Sequence, residues 1–222
     1  MSTSVKPSDS RKLSLEKAAQ AYEQNIDKAA GYLVSRGISK ETAKALRLGL
    51  VVDPEPGHSQ FVGRLAIPYI TRGGIVDMKF RCVEHEDCKE YDCVKYLALP
   101  GLNGSRLYNV NAFFTDSDYI GLCEGEPDTW ILHYEVGVPA VGCPGVQRWE
   151  PHFARCFVGY SKVLVFADGD QAGREFGKKV ASELPQALVI EMPKGSDVNE
   201  LYLAEGKDAL LNRAGLLQSE TS

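Results

Sequence analysis

From Tyr119 onward the sequence alternates between two kinds of segment, and this alternation restricts the fold more than any other feature. YIGLC, VPAVGC, KVLVFAD and ALVIEMP are short apolar runs rich in strand-forming residues. Between them lie TWILHYEVG, PHFARCFVG and QAGREFGKKVASEL, in which apolar residues have helical spacing. Parallel strands need a crossover long enough to hold a helix, so this pattern predicts βαβ units and a mainly parallel sheet.

The first half reads differently. Leu15, Ala19, Tyr22, Ile26, Ala29 or Ala30, and Leu33 recur at helical spacing up to Gly37. Ser39 suits the N-cap of a second helix, KETAKALRL, which Gly49 stops. Pro54, Pro56 and Gly57 mark a loop. RLAIPYI and IVDMKFRCV flank TRGG, the signature of a hairpin. A polar insert, EHEDCKEYDC, precedes KYLALPG and RLYNV. The expected fold class is α/β, with a parallel-sheet domain over residues 116–212 preceded by a small mixed α+β subdomain over 15–115. Residues 1–14 read as a disordered tail and residues 213–222 as a polar tail.

Composition narrows the function classes. The chain has 222 residues, 44% hydrophobic and 25% charged, which are ordinary globular values. The longest clean apolar run is Val163–Ala167, far short of a membrane span. The polar N-terminus, MSTSVKPSDSRK, lacks the apolar stretch of a secretory signal. A cytoplasmic protein with no membrane partner is expected, its six cysteines reduced. The net charge of −5 is unevenly spread. Residues 1–114 carry 16 Lys/Arg against 13 Asp/Glu, and residues 115–222 carry 9 against 17. One half can attract phosphates and the other cations.

In a parallel α/β sheet, ligands meet the carboxyl ends of the strands. Glu124 follows YIGLC directly, and Asp128 lies one helical turn later. Asp168 and Asp170 follow KVLVFA as Asp-Gly-Asp, and Asp197 follows the fourth strand. Strand-end acids also serve simply as helix N-caps. Gathered together, however, they raise one another's pKa unless a cation sits between them. Oxygen ligands suit a hard ion, Mg²⁺ or Mn²⁺. Gly125, Gly142, Gly145 and Gly169 would let the backbone approach closely.

The ordered set CEGEPD, AVGCPG, VFADGDQAG and PKGSDVNE resembles a Toprim domain, the catalytic domain of DnaG-type primases, topoisomerases and some nucleases. Asp four residues after Glu is most similar to the primase version. YLVSRGISKETAKALRLGLV, GRLAIPYITRGGIVDMKFRCV, and KYLALPG followed by RLYNV resemble the remainder of a primase core. The resemblance runs from about residue 15 to about 206 and implies a nucleotidyltransferase. It implies metal binding by Glu124, Asp168, Asp170 and Asp197, with Glu124, Asp128, Asp168 and Asp170 as catalytic residues. Arg81, Lys95 and Arg106 match the family's basic positions and would hold template or nucleotide phosphates. The implied partners are a single-stranded DNA template and NTPs. Such primases usually carry a zinc ribbon and a helicase-binding domain. Nothing before Leu15 offers ribbon ligands, and only a short helix and tail follow residue 206. A stripped core, viral or mobile-element in type, is expected, with a replicative helicase or a separate zinc-ribbon chain as partner. The competing readings are a Toprim nuclease and a non-catalytic replisome DNA-binding subunit.

One motif stands apart. Cys82, His85, Cys88 and Cys93 are ligand types for tetrahedral Zn²⁺. Their spacing is not that of a familiar ribbon, and reduced thiols on a polar loop are the alternative. Cys123, Cys143 and Cys156 read as core residues. His58, His133 and His152 suggest no role.

Overall fold

A computed structural model describes residues 7–85, 88–101, 105–143 and 145–217. Residues 1–6 and 218–222 of the expected tails, and residues 86–87 of the polar insert, lie outside the described residues. The chain divides into two units, Met1–Gly104 and Ser105–Ser222.

In the first unit, helix α1 (Asp9–Glu23) begins well before Leu15, inside the stretch expected to be tail. The Ser8 hydroxyl accepts a hydrogen bond from Arg11 N at 3.2 Å, and Asp9 lies in the first turn. Apolar periodicity starts later because only Leu15, Ala18, Ala19 and Tyr22 are buried. The expected continuous helix to Gly37 is broken by a 3₁₀ turn, Ile26–Ala29, before α2 (Ala30–Ser35). Helix α3 (Lys40–Ala45) is capped by Ser39, as its sequence predicts.

Strands β1 (Gly49–Leu50), β2 (Arg64–Thr71), β3 (Gly74–Cys82) and β4 (Tyr96–Ala98) form an antiparallel sheet in that order. Thr71 pairs with Gly74 across the hairpin. Helix α1 packs its buried face into a core with Phe61, Met78 and Phe80. The Phe61 and Phe80 rings stack with centroids 3.7 Å apart. His58 belongs to this core: its Nδ1 lies 2.7 Å from the Tyr22 hydroxyl, and its ring stands edge-on to both phenylalanines.

The second unit holds the parallel sheet. Strands β5 (Tyr119–Cys123), β6 (Ala140–Gly142), β7 (Lys162–Ala167) and β8 (Ala187–Glu191) lie in the order β6-β5-β7-β8, every pair parallel. All four coincide with the apolar runs read from the sequence. The chain winds from β5 outward to β6, then returns past β5 to β7. That reversal opens a crevice at the carboxyl ends of β5 and β7. Helix α4 (Glu126–Trp130) continues as a π-helical stretch, Ile131–Val136. PHFARCFVG forms a 3₁₀ helix, Pro151–Phe157. Helix α5 (Gln171–Glu183) connects β7 to β8, and α6 (Val198–Glu205) and α7 (Lys207–Arg213) follow.

The units divide at residue 104, not near 115. Tyr108 forms a bridge with Gly142 on edge strand β6, through hydrogen bonds of 2.7 and 3.1 Å. The Tyr108 hydroxyl accepts from Trp130 Nε1 at 2.9 Å. These bonds bind the RLYNV segment to the second unit. The core of this unit includes Ile120, Leu122, Val163 and Val165, packed against Trp149, Phe157 and Phe176. Among the described residues, no helix is long and apolar enough to cross a membrane.

Candidate active site

The crevice is lined by acids because the sequence places one after each of two adjacent strands. Cys123 pairs with Phe166, so the chain leaves the sheet at Glu124 beside Asp168. The Asp168 backbone N–H donates to Glu124 Oε1 at 2.8 Å and ties the two strand ends together. Glu124 is buried, and burial raises its carboxyl to about 7. The Asp168 N–H opposes that rise, while the charges on Asp170 and Asp128 add to it. Asp168 is raised to about 8, first by burial, then by Glu124, Asp197, Asp170 and Glu200. Both shifts have the sign expected of carboxylates confined together.

The other acids are held by helix starts. Asp170 caps α5, its Oδ1 accepting from Gly173 N at 2.7 Å. Asp197 caps α6 and accepts from Glu200 N at 2.7 Å, and Glu200 Oε2 accepts from Asp197 N at 3.3 Å. Asp128 is buried and accepts from Asn199 N at 3.2 Å, binding α4 to the first turn of α6. The capping role and the electrostatic role therefore coincide on the same side chains. Among the described residues, no three carboxylates bring oxygens within 4.8 Å of one another, so each acid keeps its own anchor.

Two glycines permit this crowding. A Cβ on Gly169 would lie 1.8 Å from the Pro193 carbonyl oxygen. A Cβ on Gly173 would lie 2.3 Å from the Asp168 carbonyl oxygen and 2.7 Å from Glu124 Oε1. The first turn of α5 thus rests directly on the site. Gly173 and Glu200 are not among the site residues read from the sequence. The spacing Asp197-x-x-Glu200 is a capping-box signal that could have flagged Glu200; nothing local marks Gly173. The donor set is entirely oxygen and mutually repelling, with Glu124 and Asp128 buried, Asp168 and Asp197 half-buried and Asp170 exposed; oxygen ligands of this kind suit a hard divalent cation.

The basic residues are distributed between the units. Arg81, on β3, is buried and lies against the Tyr32 and Tyr96 rings at 5.4 and 5.1 Å, donating to the Tyr96 hydroxyl. Lys95 is exposed just before β4, and Arg106 is half-buried in the second unit. Cys123 and Cys143 are buried as expected, whereas Cys156 is exposed. The 3₁₀ helix turns Phe153 and Phe157 inward and leaves Cys156 outside. His133 Nδ1 accepts from Ala140 N at 3.2 Å and steadies the start of β6. His152 leans on the Phe153 ring.

Residues 121–202 match a family described as Toprim-like. Gene 57 protein of Mycobacterium phage D29 is 43% identical over 156 residues, which is 68% of this chain and 97% of the phage protein. The DNA primase of Pseudomonas putida is 26% identical over an alignment covering 90% of this chain but only 37% of the primase. The fold is that of the RNA polymerase domain of Mycobacterium tuberculosis primase DnaG, solved with a double-stranded DNA oligomer bearing a 6-nucleotide overhang. The TM-score is 0.74 at 23% identity, covering 94% of this chain and 80% of that one.

Proposed function

Because the chain belongs to the family of DnaG-type primase cores built on a Toprim domain, we propose that it is a nucleotidyltransferase that synthesises short primers on single-stranded DNA. The observation that carries this reading is the Glu124–Asp168 pair, hydrogen-bonded at 2.8 Å across the strand ends. The solved relative's DNA oligomer supports a DNA template for this chain.

The reaction would join a nucleotide 3′-hydroxyl to the α-phosphorus of an incoming NTP. The O3′–P bond forms, the bond to the bridging oxygen breaks, and pyrophosphate leaves with that electron pair. Mg²⁺ or Mn²⁺, held by Glu124, Asp168, Asp170 and Asp197, would supply positive charge against the phosphoryl oxygens. Glu124 is the carboxylate at the end of β5 that would take up the hydroxyl proton at Oε. Asp128 is a positioning residue, since its carboxylate holds the start of α6. Lys95 and Arg106 would contact template or nucleotide phosphates. Arg81, sandwiched between tyrosines, would support the strand that leads to Lys95.

The test is a primer-synthesis assay with single-stranded DNA of mixed sequence, labelled NTPs and Mg²⁺ or Mn²⁺, alongside Asp168→Ala. A second lane carries labelled template. Short new oligonucleotides that the variant fails to make are the expected result. Template cleavage without synthesis would replace the reading with a nuclease. Metal-independent DNA binding without either activity would replace it with a binding subunit.

A further inference from the structure

The connection between β3 and β4 holds a second cluster, remote in chemistry from the acids. The sulfur atoms of Cys82, Cys88 and Cys93 lie within 4.8 Å of one another. Cys82 Sγ is 3.6 Å from Cys93 Sγ and 3.7 Å from His85 Nδ1. These separations have a direct meaning. With Zn–S near 2.3 Å and Zn–N near 2.0–2.1 Å, tetrahedral ligand atoms stand about 3.8 Å apart for two sulfurs and about 3.6 Å for sulfur and nitrogen. The thiols are far outside the bonding distance of about 2.05 Å for a disulfide.

The surrounding backbone is arranged for a sulfur-bound cation. Cys93 N donates to the Cys88 carbonyl at 2.9 Å, folding the second pair of thiols back on itself. Asp92, in the left-handed region at φ 50°, makes that return. The setting is not an apolar core that would gather cysteines as small hydrophobes. Lys89, Glu90, Tyr91 and Asp92 are all exposed, while Cys82 and Cys88 are buried.

We propose that Cys82, Cys88, Cys93 and His85 form a closed, structural Zn²⁺ site that clips the β3–β4 connection. The His85 nitrogens do not stand within 4.8 Å of all three sulfurs, so the ring, stacked on Tyr91 at 4.2 Å, would turn from that stack to supply the fourth ligand. Four protein ligands leave no position for substrate, so the ion serves shape and not chemistry. Its place is the end of the β3–β4 ladder, where Cys82 N donates to the Lys95 carbonyl at 3.0 Å. The clip would therefore fix the backbone that carries Arg81 and Lys95.

The test is the metal content of the full chain, purified without chelator and measured by plasma emission. One zinc per chain is expected in the wild type and in Asp168→Ala/Asp170→Ala, which separates this site from the acidic crevice. Cys93→Ser and His85→Ala should each retain less than about a tenth of the zinc after equilibration against a weak chelator. Replacing zinc with Co²⁺ should give thiolate-to-metal charge-transfer absorption in the wild type and lose it in Cys93→Ser. Should Cys93→Ser fail to fold, zinc titrated into chelated wild type should raise its unfolding temperature where Mg²⁺ does not. Zinc lost with the aspartates, full zinc in Cys93→Ser, or a Cys82–Cys93 disulfide in a zinc-free chain would each overturn the proposal. Full zinc in His85→Ala would overturn the assignment of the fourth ligand.

Discussion

Glu124 and Asp168 hold protons more tightly in the folded chain than an unfolded chain would. Their carboxyls sit at about 7 and about 8, against unfolded values near 4. Between about pH 4 and 8 the folded state binds more protons than the unfolded one, so this stabilising contribution is complete below pH ~4 and is lost as pH rises through 7 and 8. Without divalent ions the unfolding temperature should fall between pH 5 and 8. The fall should shrink in Asp168→Asn, and Mg²⁺ should restore most at the alkaline end; scanning calorimetry reads all three, and a flat profile would contradict the crowding. Gly173→Ala pushes a methyl against the Asp168 carbonyl and Glu124. A loss of roughly 1–3 kcal/mol in urea unfolding is expected, as for overpacking, with Glu124 displaced and primer synthesis lost. The two key acids were legible because strand-end position is visible as an apolar run followed by Asp or Glu. Gly173 was not, because its constraint comes from a carboxylate on another strand.

At the scale of elements, the parallel sheet was the most legible part. The central strands β5 and β7 and the edge strand β6 are buried almost throughout and read as uninterrupted apolar runs in YIGLC, KVLVFAD and VPAVGC, while edge strand β8 in ALVIEMP keeps an apolar run although Leu188 is exposed. Helix α1 was legible only from Leu15, because its first turns rest on Ser8 capping and not on burial. The attachment of RLYNV to β6 was hidden, since it depends on the Tyr108–Gly142 bridge, on Asn109 Nδ2 donating to the Ala140 carbonyl and on the Tyr108 hydroxyl accepting from Trp130. Helix α6 offers a test of how one carboxylate serves two ends. Asp197→Ala removes the cap and should cost about 1 kcal/mol in denaturant unfolding. Asp197→Asn keeps a capping oxygen and should recover most of that stability. If its primer synthesis stays as low as that of Asp197→Ala, the charge matters to the reaction; if synthesis returns with stability, Asp197 acts through α6 alone.

Across the whole molecule, charge is divided as unevenly as the fold. The basic excess lies before residue 115 and the acidic excess after it. Binding to single-stranded DNA, measured by fluorescence anisotropy, should weaken steeply as salt rises, because phosphate contacts by lysine and arginine release counterions. Asp168→Ala should leave that salt slope unchanged while Lys95→Ala lowers it; equal slopes in wild type and Lys95→Ala would remove Lys95 from the template contact. The strand order β6-β5-β7-β8 also governs when the site can exist during folding. Cys123 meets Phe166 only after the chain has run out to β6 and come back. A contact of such long sequence separation pays its loop-closure entropy late and slowly. A nascent chain released anywhere before β7 would carry Glu124 with neither Asp168 nor Asp170 beside it. Catalytic competence in this architecture should therefore arrive in one step, once β7 has paired with β5, and not accumulate as the helices form.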